Sequence, residues 1–201
     1  MARYTGPRTK VSRRARQLLD ENKARYFDRR PYPPGQHGRG RIRESQYQVQ
    51  LREKQKLRHI YGVLEKQFRR YYAEANRRHG ITGENLLQIL ESRLDNVVYR
   101  AGLARTRPQA RQLVNHAHFR VNNKKVDVPS YQVRPGDEIT LRRRSQDLFP
   151  IQLAVDTVDR SGTEWLEVDA ADRKVVIVNL PSRQQIDTQI QEQLVVELYS
   201  K

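Results

Sequence analysis

The chain has 201 residues, of which 39 are Lys or Arg and 23 are Asp or Glu, so its formal net charge at pH 7 is +16. An excess of this size favours a polyanionic partner, because binding relieves the self-repulsion of the compact chain. No segment approaches the ~18 consecutive apolar residues of a membrane-spanning helix. The absence of cysteine excludes disulfides, thiolate metal sites and cysteine nucleophiles. The first seven residues lack the apolar region of a secretory signal, so we expect a location in the cytoplasm or an organelle interior.

Positive charge is concentrated in the first two thirds of the chain. Residues 1–80 carry 22 basic and 7 acidic side chains and residues 81–144 carry 12 and 6, whereas residues 145–201 carry 5 and 10. This asymmetry predicts different partners for different parts of the chain, with RNA or DNA contacting the basic part.

Residues 1–44 are predicted to form a basic extended tail with a short helix near Ser12–Leu19. Prolines and glycines between Pro31 and Gly40 favour extended and turn backbone. Arginines offer donors to phosphate and aromatic rings offer stacking surfaces, as looped or single-stranded RNA requires. The aromatic residues are Tyr4, Tyr26, Phe27 and Tyr32. A solvated tail that orders only on a partner is the alternative.

Residues 45–90 are predicted to form a helical domain. Apolar residues recur at spacings of three and four from Val49 to Phe68, Ser45 is a candidate N-cap, and Gly62 separates two helices. Three aromatic residues are assigned to the core, with neighbouring arginines on a solvated face: Phe68, Tyr71 and Tyr72.

The next segment predicts a helix from Thr82 to Gly102 with one continuous apolar stripe. Thr106 to Gln109 then matches a capping box at the start of another helix. On that helix Arg107 and Arg111 lie one turn apart at the positive end of the helix dipole, which favours a bound anion such as phosphate. Surface arginines that are merely tolerated are the alternative.

Alternating apolar residues predict several strands, and Asn122-Asn123 suits a tight hairpin because asparagine accepts left-handed backbone. The predicted strands are 118–121, 124–128, 138–142, 165–168, 175–178 and 194–199. A second capping box is predicted at Ser182–Gln185. The sequence thus predicts an α+β protein: a basic N-terminal extension (1–44), a helical domain (45–90), and a compact module of two helices on an antiparallel sheet with additional strands (91–180).

The sequence gives little sign of catalysis. Without cysteine, none of the five histidines belongs to a recognisable zinc set, and His116 and His118 lack a third ligand nearby. Phosphate-binding glycine loops, nucleophile elbows and metalloprotease motifs do not occur in it. We therefore expect no catalytic residue, no metal and no cofactor.

Several segments, in order along the whole chain, resemble the bacterial small-subunit ribosomal protein four family. They are Met1–Pro7, Pro34–Gly38, Leu51–Lys56, Ile60–Gly62, Arg93–Arg100, Ala110–Val114 and Val196–Lys201. The resemblance implies a structural constituent of the small ribosomal subunit, a primary binder of 16S-type rRNA that nucleates assembly at a multi-helix junction. It also implies a place near the channel through which mRNA enters, an influence on translational accuracy, contact with ribosomal proteins five and three, and a bacterial or plastid ribosome.

The same resemblance implies a fold and a set of site residues. Residues 181–201 would pack back on the helical domain, and residues 91–180 would contain an RNA-binding module that also occurs in pseudouridine synthases and tyrosyl-tRNA synthetases. The implied RNA-binding residues are Arg3, Arg13, Arg14, Arg93, Arg100, Thr106, Arg107, Arg111, Gln112, His116, His118, Lys124 and Lys125. The implied mRNA-facing residues are Arg39, Arg41 and Arg43, and protein five would dock on the acidic final third.

The chain departs from that family in three places. A CxxC zinc knuckle of some relatives is replaced by Thr9 and Ser12, a common His-Gly-His has Ala117 in its middle, and a common Asn-Gly turn ends in Asn123. Zinc is therefore not expected. Two other functions are the alternatives. An RNA-modifying enzyme with the same module would need a separate catalytic domain, and unspecific binding through charge alone is distinguished by its salt dependence.

Overall fold

The computed structural model describes residues 3–40, 43–158, 164–169 and 171–200. Within them lie nine α-helices and one five-stranded antiparallel sheet, which confirms the α+β class. The helices are α1 (Arg8–Ala15), α2 (Ala24–Asp28), α3 (Gln46–Ile60), α4 (Glu65–Arg77), α5 (Thr82–Glu91), α6 (Leu94–Arg100), α7 (Arg107–Asn115), α8 (Phe149–Thr157) and α9 (Glu192–Tyr199). The strands are β1 (Phe119–Val121), β2 (Lys124–Lys125), β3 (Glu138–Leu141), β4 (Leu166–Asp169) and β5 (Lys174–Ile177).

The chain divides into two compact units. Unit 1 comprises residues 1–83 and 188–201, and unit 2 comprises residues 84–187. The division predicted from the sequence into segments 1–44, 45–90 and 91–180 remains a prediction of how the chain is organised. In the part of the chain that the structure describes, every helix is too short or too polar to cross a membrane.

The basic tail of unit 1 contains short helices, so it is not continuously extended. Helix α1 begins after Pro7 and ends at Arg16, whose φ of 54° is left-handed. The predicted helix at Ser12–Leu19 therefore lies too far along the chain. Beyond Arg16 the chain turns back, and the Leu19 amide donates to the hydroxyl of Ser12 at 3.3 Å.

The helical pair α3 and α4 confirms the capping and glycine signals. Ser45 accepts from the Gln48 amide while the Gln48 side chain accepts from the Ser45 amide, a complete capping box. Gly62 has a left-handed φ of 62°, a conformation that costs glycine little, and it lies between the two helices. One face of α4 is buried: Phe68, Tyr71 and Ala75.

The predicted strand at 194–199 is wrong, because these residues lie in helix α9. Its adjacent valines favour a strand locally, but the helix packs against α3, which buries Val195. Polar contacts hold α9 to both neighbouring helices: Gln50 Nε2 of α3 donates to Glu197 at 2.8 Å, and the Tyr199 hydroxyl donates to Glu65 of α4 at 2.9 Å. Burial and the neighbouring Glu65 carboxylate raise the pKa of Tyr199.

In unit 1, His59 gives a testable dependence of stability on pH. Burial, then the cations Arg58, Arg8 and Arg14, lower its pKa from 6.5 to about 4. The unfolded chain binds a proton near pH 6.5 and the folded chain only near pH 4, so stability is lost as the pH falls between these values. With a discount for solvent screening, we expect His59 to account for a loss of about 1–2 kcal/mol. Urea unfolding of the wild type and of His59→Gln, followed by far-UV circular dichroism at neutral pH and near pH 4, measures this loss of stability. If the wild type and His59→Gln lost the same stability between these two pH values, the prediction would be wrong.

The helix predicted from Thr82 to Gly102 is divided into two helices in the structure. Helix α5 ends at Glu91, Arg93 is extended with φ −71° and ψ 137°, and α6 then begins at Leu94. Arg93 forms an isolated antiparallel β-bridge with Gln132. The backbone between α5 and α6 therefore pairs with a distant segment and does not continue the helix.

The sheet of unit 2 has the strand order β2-β1-β3-β5-β4, and every neighbouring pair is antiparallel. The hairpin turn is as predicted: Asn122 and Asn123 have φ of 48° and 63°. The predicted strands near residues 118, 124, 138, 165 and 175 are all present: the first three are shorter than predicted, and the last two have the predicted length but are shifted by one residue. Helices α6 and α7 bury one face against this sheet, in a core that includes Leu94, Val97, Leu113, Phe119, Ile139 and Val175.

Candidate nucleic-acid interface

The break between α5 and α6 places an arginine inside unit 2. The Arg93 side chain is 0% exposed and donates twice to Asp95, from Nε to Oδ1 at 3.0 Å and from Nη2 to Oδ2 at 2.7 Å. Asp95 Oδ2 also accepts from Arg111 Nε at 3.0 Å. One carboxylate in the first turn of α6 therefore holds two arginines, one from the break and one from α7.

A second buried carboxylate, Glu91, holds Arg100. Arg100 Nε and Nη2 donate to its two carboxylate oxygens at 3.0 and 2.8 Å, a bidentate pair. The same Nη2 lies 2.7 Å from Asp187, and this hydrogen bond lowers the pKa of Asp187.

Asn96 connects Glu91 to the start of α7. Its Nδ2 donates to the Glu91 carboxylate at 2.6 Å and to the Glu91 carbonyl at 3.1 Å, so its Oδ1 faces Arg107, whose Nε donates to it at 2.8 Å. The Arg107 guanidinium also lies 4.4 Å from the centroid of the Tyr99 ring. We call the residues of these two hydrogen-bonded clusters together the arginine network: Glu91, Arg93, Asp95, Asn96, Arg100, Arg107 and Arg111.

The arginine network changes two expectations from the sequence. Arg93 has no surface for contact with RNA, so its expected direct role is corrected to one of holding Asp95 in place. Arg107 and Arg111 have partners within the unit, so their location at the start of α7 does not by itself require an anion. The sequence interpretation missed the carboxylates of Glu91 and Asp95, although their alternation with Arg93 was visible.

The start of α7 also carries the predicted cap. The Thr106 hydroxyl accepts from the Gln109 amide at 3.3 Å, and Pro108 lies in the first turn. The Gln109 side chain accepts from the Arg105 amide at 2.9 Å, one residue before the position that a capping box requires. Gln112, one turn further on, is exposed.

Beyond α7, the remaining predicted site residues lie just before β1 and on the edge strand β2. His116 is exposed, whereas His118 is half-buried and its Nδ1 lies 2.9 Å from the Ser145 hydroxyl. Burial, then the neighbours His116 and Arg142, lower the pKa of His118. Ala117 has a φ of 58°, which costs a non-glycine residue about 1–2 kcal/mol. Two lysines of β2 are exposed on the outermost strand: Lys124 and Lys125.

Tyr32 in the tail holds two of the predicted arginines. Arg13 Nε donates to its carbonyl at 2.9 Å and Arg39 Nη2 donates to its hydroxyl at 3.2 Å, which lowers the pKa of Tyr32. The two guanidiniums lie 5.2 and 4.8 Å from its ring centroid, so the ring contacts arginines of this chain. Other predicted residues of the tail are exposed, namely Arg3, Arg14 and Arg43, whereas Arg41 lies outside the described residues. Among the described residues, no group of three potential ligands is close enough to hold a metal ion.

Comparison with known proteins identifies the class first. The model of the ribosomal protein S4/S9 N-terminal domain matches residues 3–91, and that of the S4 domain matches residues 92–139. The fold and the basic side chains around α7 are thus those of a ribosomal protein with an S4 RNA-binding domain. The chain is 62%, 60% and 59% identical, over 100% of both chains, to the small ribosomal subunit protein uS4 of Rhodococcus erythropolis, Cutibacterium acnes and a Mycobacterium species. It belongs to the uS4 family, which confirms the resemblance.

Proposed function

We propose that the chain is a constituent of the small ribosomal subunit in the bacterial cytoplasm and a primary binder of its 16S-type rRNA. The observation that carries this proposal is the arginine network, which fixes Arg107 and Arg111 beside the first turn of α7. Amide groups at a helix start and fixed guanidiniums together suit phosphate oxygens. Exposed polar side chains near the C-terminal end of α7 and on β2 extend this surface.

The proposed RNA contacts combine this surface with the tail. They are Arg3, Arg13, Arg14, Arg100, Thr106, Arg107, Arg111, Gln112, His116, His118, Lys124 and Lys125. Arg100 and Arg111 have only 12% and 11% of their side chains exposed, so each would reach RNA through a small part of its guanidinium. His118 would contribute a hydrogen bond from its ring.

Family membership supports a finer proposal. The chain would nucleate subunit assembly at a multi-helix rRNA junction, lie near the channel through which mRNA enters and influence translational accuracy. Arg39, Arg41 and Arg43 would face mRNA, ribosomal protein five would dock on the acidic final third, and protein three would be a neighbour. In this arrangement residues 1–44 would follow the RNA, residues 45–90 would form a helical domain with 181–201, and residues 91–180 would present the RNA-binding module.

Substitution of the two exposed lysines of β2 tests the proposed surface without disturbing the packing of the core. For Lys124→Gln with Lys125→Gln we expect weaker binding to a junction fragment of small-subunit rRNA. The slope of log K against log salt should become shallower by about 1.4–1.8, since each phosphate contact contributes about 0.7–0.9. Filter-binding titrations over a salt series measure both quantities.

Scrambled RNA of the same length is the control for specificity. The wild type should retain a preference for the junction fragment over scrambled RNA at equal salt. Equal affinity for the two RNAs would contradict specific rRNA binding and favour attraction through charge alone.

A further inference from the structure

Helix α4 has a basic face that the arginine network and the tail do not include. Its inner face buries Phe68, Tyr71 and Ala75. At 100° per residue, four exposed positions on its outer face lie within about 60° of one another and extend about 16 Å along the axis. We call them the α4 stripe: Lys66, Arg70, Ala73 and Arg77.

The cations of the α4 stripe are not neutralised by nearby acids. Glu65 pairs with Lys54, Arg58 and Arg69, and Glu74 pairs with Arg78. Within the part of the chain that the structure describes, Lys66, Arg70 and Arg77 have no ion pair. Lys66 and Arg70 are one turn apart, a spacing at which like charges repel. The free helix thus carries a repulsion that a polyanion would relieve.

The chemistry of this face favours a phosphate backbone over a protein surface. The exposed residues of α4 include no aromatic or large aliphatic side chain, whereas the centre of a protein interface is enriched in such residues. Ala73 lies between Arg70 and Arg77, and its short side chain lets a partner approach the helix closely. Lysine and arginine side chains bind phosphate oxygens whatever the sequence, so the stripe suits the backbone of a nucleic acid.

We propose that the α4 stripe is a further RNA-binding surface, which takes the backbone phosphates of one rRNA helix by charge and shape. This inference rests on the proposed function, because it assumes that rRNA is the partner. It adds a contact surface in unit 1 that is separate from the module of unit 2. It also assigns a role to arginines that are otherwise only a solvated helix face.

A matched pair of substitutions on α4 tests the inference. Ala73→Glu inserts a carboxylate between Arg70 and Arg77, whereas Asn76→Glu adds the same charge to the same helix about 90° away from the middle of the stripe. We expect Ala73→Glu to weaken binding to the small-subunit rRNA fragment about tenfold. The slope of log K against log salt should become shallower by the contribution of one to two phosphate contacts. Asn76→Glu should change the affinity less than about twofold.

The possible results separate the inference from the function on which it rests. An equal loss for both variants would mean that only net charge acts, and no loss for either would mean that rRNA does not touch α4; each result overturns the inference. Loss of a protein neighbour from reconstituted subunits with unchanged rRNA affinity would also overturn it. A wild-type chain with no preference for its rRNA would instead overturn the proposed function. If Ala73→Glu lowers the urea midpoint, the pair Arg70→Gln with Arg77→Gln is measured in its place, with the same threshold of tenfold.

Discussion

Replacement of Asp95 by alanine is expected to lower the free energy of unfolding of unit 2 by about 3–5 kcal/mol, because it removes the carboxylate that accepts two hydrogen bonds from the buried Arg93 guanidinium. Arg93 has no exposed surface, so water cannot replace the two hydrogen bonds that it donates to Asp95. The hydrogen bond from Arg111 to the same carboxylate is lost at the same time. Trp165 is the only tryptophan of the chain and is buried in the core of this unit, so urea unfolding followed by its fluorescence measures the loss.

Two further variants show whether the buried charge is the cause. Asp127→Ala removes an exposed carboxylate of the same unit that lies 3.7 Å from Lys125, and we expect it to cost less than about 1 kcal/mol. Arg93→Met combined with Asp95→Leu removes charge and counter-charge together, and we expect it to recover a large part of the loss. An Asp95→Ala variant as stable as Asp127→Ala would show that Arg93 finds another partner.

The arginine network explains why the sequence interpretation located the start of α7 correctly but misjudged the exposure of Arg93. The signals at the start of α7 were local: a cap at Thr106, a proline in the first turn and arginines one turn apart. The burial of Arg93 depends on the break after Glu91, and that break depends on pairing with Gln132, about 40 residues away. No local pattern contains that contact, so a continuous helix was the natural prediction.

Elsewhere too, the elements predicted correctly are those that local sequence determines, and the element predicted wrongly is one that distant contacts determine. Gly62 and the pair Asn122-Asn123 require left-handed backbone, a preference that the residues carry themselves, so these turns were predictable. Helix α9 is different. Its valines favour a strand, and only the face that α3 offers to Val195 makes the helix the better choice, which is tertiary context overriding local propensity.

Loss of side-chain volume at Leu94 should have the second large effect on stability. Leu94 is fully buried, and Leu94→Ala is expected to cost about 2–5 kcal/mol. The cost depends on how far the surroundings can close the cavity, and here α6 is fixed at its start. The Leu94 amide donates to the Tyr131 carbonyl at 2.9 Å, and the Asp95 amide donates to the Pro129 carbonyl at 3.2 Å. Because these bonds prevent α6 from shifting towards the sheet, we expect a value in the upper half of that range.

The same Trp165 fluorescence measures the effect of Leu94→Ala, with Val128→Ala as the control at a half-exposed aliphatic position of unit 2. We expect that control to cost less than about 0.5 kcal/mol. Leu94 contributes no polar group to the proposed interface, so the folded fraction of Leu94→Ala should bind the rRNA fragment with wild-type affinity. An unchanged urea midpoint would show that Leu94 is not part of the core. A loss of affinity in fully folded protein would show that the cavity displaces Asp95, the next residue of α6, and with it Arg111, because one carboxylate connects the core helix to the proposed RNA surface.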